Sequence, residues 1–130
     1  DASVCREEWK DSADVVLCDV PCSGLGIIRK KPEIRFKNPD EIQTLPEIQA
    51  RILANCAQYV KKGGTLVYST CTILQRENED VVRAFLTENP EFEAVSWTHP
   101  VCGERADGMV TLLPPVHNTD GFFIAKMYRK

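Results

Sequence analysis

Residues 14–24 read Asp14-Val15-Val16-Leu17-Cys18-Asp19-Val20-Pro21-Cys22-Ser23-Gly24, an almost unbroken apolar run that stops on a turn. A short run of this kind predicts a strand over residues 14–20 buried on both faces, as in the middle of a parallel sheet. Pro21 removes a backbone donor and Ser23-Gly24 favours a turn, which places Cys22 just past the strand's carboxyl end. A second apolar run, Thr65-Leu66-Val67-Tyr68-Ser69, leads in the same way into Thr70-Cys71-Thr72.

Helical signals lie between the two runs. Asn38-Pro39-Asp40-Glu41 offers a side-chain cap, a proline for the first turn and early acids. Thr44-Leu45-Pro46-Glu47 repeats that signal, so a short turn of helix is expected before a main helix carrying Ile48, Ile52, Leu53, Cys56, Tyr59 and Val60 on one stripe. Lys61-Lys62-Gly63 predicts the end of that helix, with cations at its negative pole and a glycine cap. A further helix is expected over residues 76–88, then a strand over 92–97, then an antiparallel pair from 109–113 and 121–128. Strands alternating with helices make an α/β chain. A right-handed crossover would set the first two strands parallel and adjacent, with both cysteines on the rim where such sheets bind ligands.

Composition narrows the function classes. The 130 residues suit one domain at most, and a net charge of −3 argues against indiscriminate nucleic-acid binding. The charge is uneven, however: Arg29, Lys30, Lys31, Arg35 and Lys37 face only Glu33 within residues 29–37. No run approaches a membrane span, and no secretory signal precedes the first strand, so reduced thiols and a cytoplasmic location are expected. The six cysteines lack zinc-like spacing with His99 or His117, so no metal is expected. Cys5, Cys18, Cys56 and Cys102 read as packing or surface thiols, Ser23-Gly24-Leu25-Gly26 as a turn, Glu77-Asn78-Glu79 as acids at a helix start, and Asp120-Gly121 as a turn into a core strand.

Two rim thiols admit several chemistries. A Cys-His protease lacks a clearly oriented histidine, and a redox pair usually presents Cys-x-x-Cys at a helix start. A third use is addition of one thiolate to carbon 6 of a pyrimidine, which makes carbon 5 nucleophilic enough to take a methyl group. An acid such as Asp19 would neutralise charge near ring nitrogen 3, and the second thiol would assist departure of the first. This use assigns roles to Asp19, Cys22 and Cys71 together.

Three segments carry a resemblance: DVPCSGLGIIRKKPEIRF (19–36), GGTLVYSTCTILQRENEDVV (63–82) and TDGFFIAKMYRK (119–130). In order and spacing they resemble the RNA (cytosine-5) methyltransferases of the Nop/Sun type, above all the bacterial Sun/Fmu (RsmB-type) branch that modifies 16S ribosomal RNA. The resemblance implies that residues 1–130 are the second half of a Rossmann-like domain dependent on S-adenosylmethionine (SAM): parallel strands with helices, plus a C-terminal antiparallel hairpin. It implies Cys71 as nucleophile, Cys22 as the residue assisting product release, and Asp19 as the acid near the cytosine. Asp1, Asp19 and Pro21 match cofactor-contacting positions, and Arg29, Lys30, Lys31, Arg35 and Lys37 match a loop near the RNA.

The family's glycine-rich cofactor loop would lie upstream of Asp1. The isolated chain is therefore expected to be inactive, and the strand over residues 14–20 to expose an apolar edge that favours self-association. The rival is a non-catalytic RNA- or protein-binding module retaining the fold. A SAM-dependent amino-group methyltransferase is a weaker rival, because those enzymes place an aromatic residue where Cys22 stands.

Overall fold

In the computed structural model, which describes residue 2 and residues 4–130, one mixed five-stranded sheet carries two helices on one face. Strand β1 (Ala13–Asp19) leads through a basic loop to helix α1 (Pro39–Ala57), and β2 (Val60–Thr70) returns parallel to β1. Helix α2 (Glu79–Glu88) follows, then β3 (Phe92–Ala94), β4 (Trp97–His99), β5 (Gly103–Arg105), β6 (Met109–Leu112), the short α3 (Pro114–His117) and β7 (Phe122–Arg129). The sheet order is β1-β2-β7-β3, and β6 shares with β3 the edge of β7 away from β2. β7 runs antiparallel to β2 as well as to β6. The expected C-terminal hairpin is thus present, and its last strand is also woven into the main sheet.

The register follows from the pleat. Leu66 and Tyr68 of β2 and Phe123, Ala125 and Met127 of β7 point to the helical face and are almost fully buried, against Leu53 of α1 and Val82 and Phe85 of α2. Burial of a large apolar side chain is worth about 1.5–3 kcal/mol, so this layer dominates the fold's stability.

Four local expectations change. First, helix α1 is continuous over 19 residues with Pro46 inside it, rather than a short turn followed by a main helix. Asn38 accepts from the Asp40 amide at 3.0 Å, and burial of Gln49, Ile52, Leu53 and Cys56 on the inner face offsets the lost backbone bond.

Second, the helix stops at Ala57, and Lys61-Lys62-Gly63 lies inside β2 rather than at a helix cap. The partner of Ala13 is Val60 and that of Val15 is Thr65, so residues 61–64 form a bulge opposite Asp14. Gly63 takes φ +79° there, and Lys61 pairs with Asp14 at 2.5 Å. Third, the strand expected over 92–97 divides into β3, on the main sheet, and β4, which pairs with β5 in a separate hairpin. After Val95 donates to the Lys126 carbonyl, Trp97 turns its indole N–H to the Gly108 carbonyl.

Fourth, β1 is an edge strand buried on one face only. Val16 and Cys18 face the core, whereas Val15 and Leu17 remain 63% and 67% exposed on the opposite face. Both helices lie on the other side, and no element among the described residues covers this one. No helix among those residues is long and apolar enough to cross a membrane.

Candidate active site

The parallel register sets Asp19, the last residue of β1, opposite Ser69 near the end of β2, and the Ser69 hydroxyl donates to Asp19 Oδ1 at 2.9 Å. Both chains then turn inward to the same place. Cys22 Sγ lies 3.1 Å from Cys71 Sγ and also accepts from the Cys71 amide at 3.3 Å. The two thiols expected on one rim are in contact.

The surroundings of Cys22 act on its thiol. Burial, followed by the hydrogen bond to Cys71, pushes the Cys22 thiol up to about 12. Cys22 therefore keeps its proton near neutral pH, and either sulfur can donate across the contact. We expect iodoacetamide near neutral pH to leave Cys22 largely unmodified in the folded protein, and rapid alkylation of Cys22, read by peptide mass, would contradict this.

A buried polar network holds the two cysteine loops together. The Ser23 hydroxyl meets the Thr72 hydroxyl at 2.8 Å, and the Ser23 amide donates to Glu77 Oε2 at 2.9 Å. Gln49 Nε2 donates to the same Glu77 oxygen at 2.9 Å and to the Pro21 carbonyl at 3.0 Å. Asn78 accepts from the Thr70 hydroxyl at 2.6 Å and donates to the Thr72 carbonyl at 3.0 Å, while the Tyr68 hydroxyl donates to the Glu77 carbonyl at 2.6 Å. Ser23, Gln49, Thr72, Glu77 and Asn78 are completely buried.

This corrects the view of Glu77-Asn78-Glu79 as acids at a helix start. Glu77 and Asn78 point inward and tie the site. The available sequence signals were a glutamine within the apolar stripe of α1 and a Glu-Asn pair a few residues after Cys71.

A third segment closes the arrangement. The Gly26 amide donates to the Cys71 carbonyl at 3.0 Å, and the Gly121 amide donates to the Gly26 carbonyl at 2.7 Å. Next to it, Asp120 is only 6% exposed and pairs with Lys30 at 2.5 Å and Arg29 at 3.5 Å. Those cations, Lys30 foremost, hold the Asp120 carboxyl below the usual carboxylate range. Asp120 thus anchors the basic loop as well as starting a strand.

The loop's other residues are also placed. Lys37 donates to the Ser23 carbonyl at 2.9 Å, and Ile34 is buried within a 3-10 turn, Pro32–Phe36. Lys31 and Arg35 form no ion pair among the described residues, and Arg35 stacks its guanidinium 5.7 Å from the ring of Phe36, which is 81% exposed. Asp1 lies outside the described residues. Asp19 Oδ2 has no partner among them, so this carboxylate on an open rim suits a cationic or hydrogen-donating group of a small cofactor. All six cysteines are free thiols, and no cluster of three or more potential metal ligands occurs among the described residues.

The mixed sheet, with its last strand antiparallel beside the second, is a partial Rossmann-like fold, and a methyltransferase homologue from Pyrococcus horikoshii superposes on it with a TM-score of 0.71 at 31% identity over 90% of this chain. Residues 1–128 match the model of the 16S rRNA methyltransferase RsmB/F family, and the chain belongs to that family. It is 46% identical, over 90% of its length, to the probable ribosomal RNA small subunit methyltransferase B of Bacillus subtilis (strain 168).

Among solved structures, PH0851 superposes with a TM-score of 0.85 at 38% identity over 92% of this chain. NSun6 from Pyrococcus horikoshii, solved with SFG, superposes with a TM-score of 0.73 at 27% identity over 87% of this chain. The chain spans 28% of the Bacillus subtilis protein, 27% of PH0851 and 29% of NSun6, under a third of each.

Proposed function

We propose that the full-length protein carrying this segment methylates carbon 5 of a cytosine in 16S rRNA through a covalent cysteine–cytosine adduct. The observation that carries the proposal is the contact between Cys22 and Cys71 at 3.1 Å, with Cys22 held protonated. Cys71 Sγ, once deprotonated, adds to carbon 6 of the ring, and nitrogen 3 takes up a proton from Asp19 in its carboxylic-acid form, oriented by the Ser69 hydroxyl on Oδ1. SAM, when bound, supplies the electrophilic methyl group. Loss of the carbon 5 proton to a base then re-forms the ring double bond and expels the Cys71 thiolate, for which Cys22 is the adjacent proton donor.

We assign cofactor contact to Asp19 and Pro21 among the described residues; the SFG bound to NSun6 supports use of a cofactor of that kind. An rRNA substrate would place the reaction in the cytoplasm. Incubation with RNA containing 5-fluorocytosine and SAM tests the mechanism. A protein–RNA complex that survives denaturation supports it, and methyl transfer without any such complex would sink it.

RNA contact falls to the basic loop. Phe36 is held out between buried Ile34 and tethered Lys37, flanked by Arg35, which suits a stacking platform for an unpaired base beside phosphate-binding cations. In the full-length protein, Phe36→Ala should weaken single-stranded RNA binding about tenfold with an unchanged salt slope, from the usual range for base stacking. Lys31→Ala should reduce that slope by about one. Equal salt dependence of both losses would remove the stacking role from Phe36.

Spanning under a third of the Bacillus subtilis relative, PH0851 and NSun6, the 130-residue chain should not methylate RNA alone, and uncovered Val15 and Leu17 on its edge strand should keep it from staying strictly monomeric. Leu17→Lys should shift the sedimentation profile at high concentration toward monomer. An unsubstituted chain that is monomeric throughout would contradict the pairing.

A further inference from the structure

Cys22 is bracketed by two peptide planes, and both are pinned. The carbonyl of the plane before it, on Pro21, accepts from Gln49 Nε2 at 3.0 Å, and the amide of the plane after it, on Ser23, donates to Glu77 Oε2 at 2.9 Å. Gln49 Nε2 donates to that same Glu77 oxygen at 2.9 Å. One carboxylate oxygen therefore controls both planes, one directly and one through the amide.

Fixing the two planes fixes φ and ψ of Cys22, and with them the direction in which its side chain leaves the backbone. The other end of the lever is equally firm. Glu77 is completely buried, its carbonyl accepts from Tyr68 on β2, and it follows Cys71 by only a few residues.

We propose that Glu77, with Gln49 as its relay, is the positioning residue that sets the Cys22 thiol against the sulfur of Cys71. This deepens the adduct mechanism, on which its catalytic meaning rests: Glu77 governs the release half-reaction through Cys22 and touches neither base nor cofactor. Geometry, rather than charge, is the requirement. Glu77 Oε1 and Gln49 Oε1 have no hydrogen-bond partner among the described residues, so Glu77 Oε2 is the acceptor the loop depends on. A neutral glutamine at 77 retains such an acceptor, whereas alanine leaves the Ser23 amide and the Gln49 side chain without it.

The test separates this proposal from the mechanism beneath it. Full-length protein carrying the segment is treated with dilute hydrogen peroxide without RNA. The two thiols and one peroxide give a disulfide and two waters, and the Cys22–Cys71 crosslink is followed as a loss of two hydrogens from the joined peptides. Crosslinking should proceed at similar rates in the unsubstituted and Glu77→Gln proteins, and about tenfold more slowly in Glu77→Ala and Gln49→Ala.

In the presence of cytosine-containing RNA and SAM, the alanine variants should also accumulate the covalent complex, because release slows more than addition. Crosslinking of Glu77→Ala or Gln49→Ala at the unsubstituted rate overturns the proposal, as does a Glu77→Gln variant that fails like alanine. If Glu77→Ala does not fold, Gln49→Ala and Glu77→Gln decide the question. Absence of any adduct between the unsubstituted protein and 5-fluorocytosine RNA in the presence of SAM refutes the mechanism and leaves the crosslinking result intact.

Discussion

Cys71→Ala in the full-length protein should abolish the denaturation-resistant RNA complex and lower methyl transfer by on the order of a thousandfold or more, as loss of a covalent nucleophile does. Cys22→Ala should behave in the opposite way toward the complex. Addition through Cys71 still occurs, but the thiolate departs without its neighbouring donor, so the covalent species builds up with ordinary cytosine RNA. The asymmetry follows from the environment of Cys22, whose burial keeps it protonated and unsuited to attack while leaving it in contact with the sulfur that must leave. The measurement is a denaturing gel of each variant with labelled RNA. An adduct that vanishes with Cys22→Ala and persists with Cys71→Ala would exchange the two roles.

Gly26→Ala should be the most damaging change at a position with no chemical role. A Cβ there would lie 2.1 Å from the Gly121 carbonyl oxygen and 2.8 Å from that of Cys71, both backbone atoms. No rotamer can relieve that overlap. The loop carrying Cys22 must separate from the strand end carrying Cys71 or from the entry to β7. The expected cost is about 3 kcal/mol, at the upper end for overpacking, with loss of the thiol contact. Gly103→Ala is the control: nothing lies within 4 Å of its Cβ, and only the φ of +73° opposes it, for about 1 kcal/mol. Denaturant midpoints that fall equally for the two variants would show that crowding at Gly26 is not what matters.

The sequence displayed the paired thiols because each follows a strand, and parallel strands deliver their carboxyl ends to a common rim. It concealed what fixes them. A buried Glu77 and a glutamate at a helix start are spelled identically, and only tertiary structure turns the carboxylate inward toward Ser23 and Gln49.

The continuity of α1 was hidden for a related reason, since Pro46 reads as a break until the burial that compensates for it is known. Val15 and Leu17 announce a preference for burial, but a preference does not supply a covering layer. The basic loop looked free because Asp120, the partner of Arg29 and Lys30, lies 91 positions beyond Arg29.

The hydrogen bonds joining Gly26 to Cys71 and Gly121 to Gly26 also constrain when the site can exist. Each spans a long stretch of chain, so the entropy of two large loop closures must be met before the thiols are locked. During synthesis from the amino end, Cys22 and Cys71 emerge well before Gly121. The final strand thus acts as a completion check on the Gly26 turn beside the reactive pair, which is fastened from both sides only once Gly121 has folded back onto it.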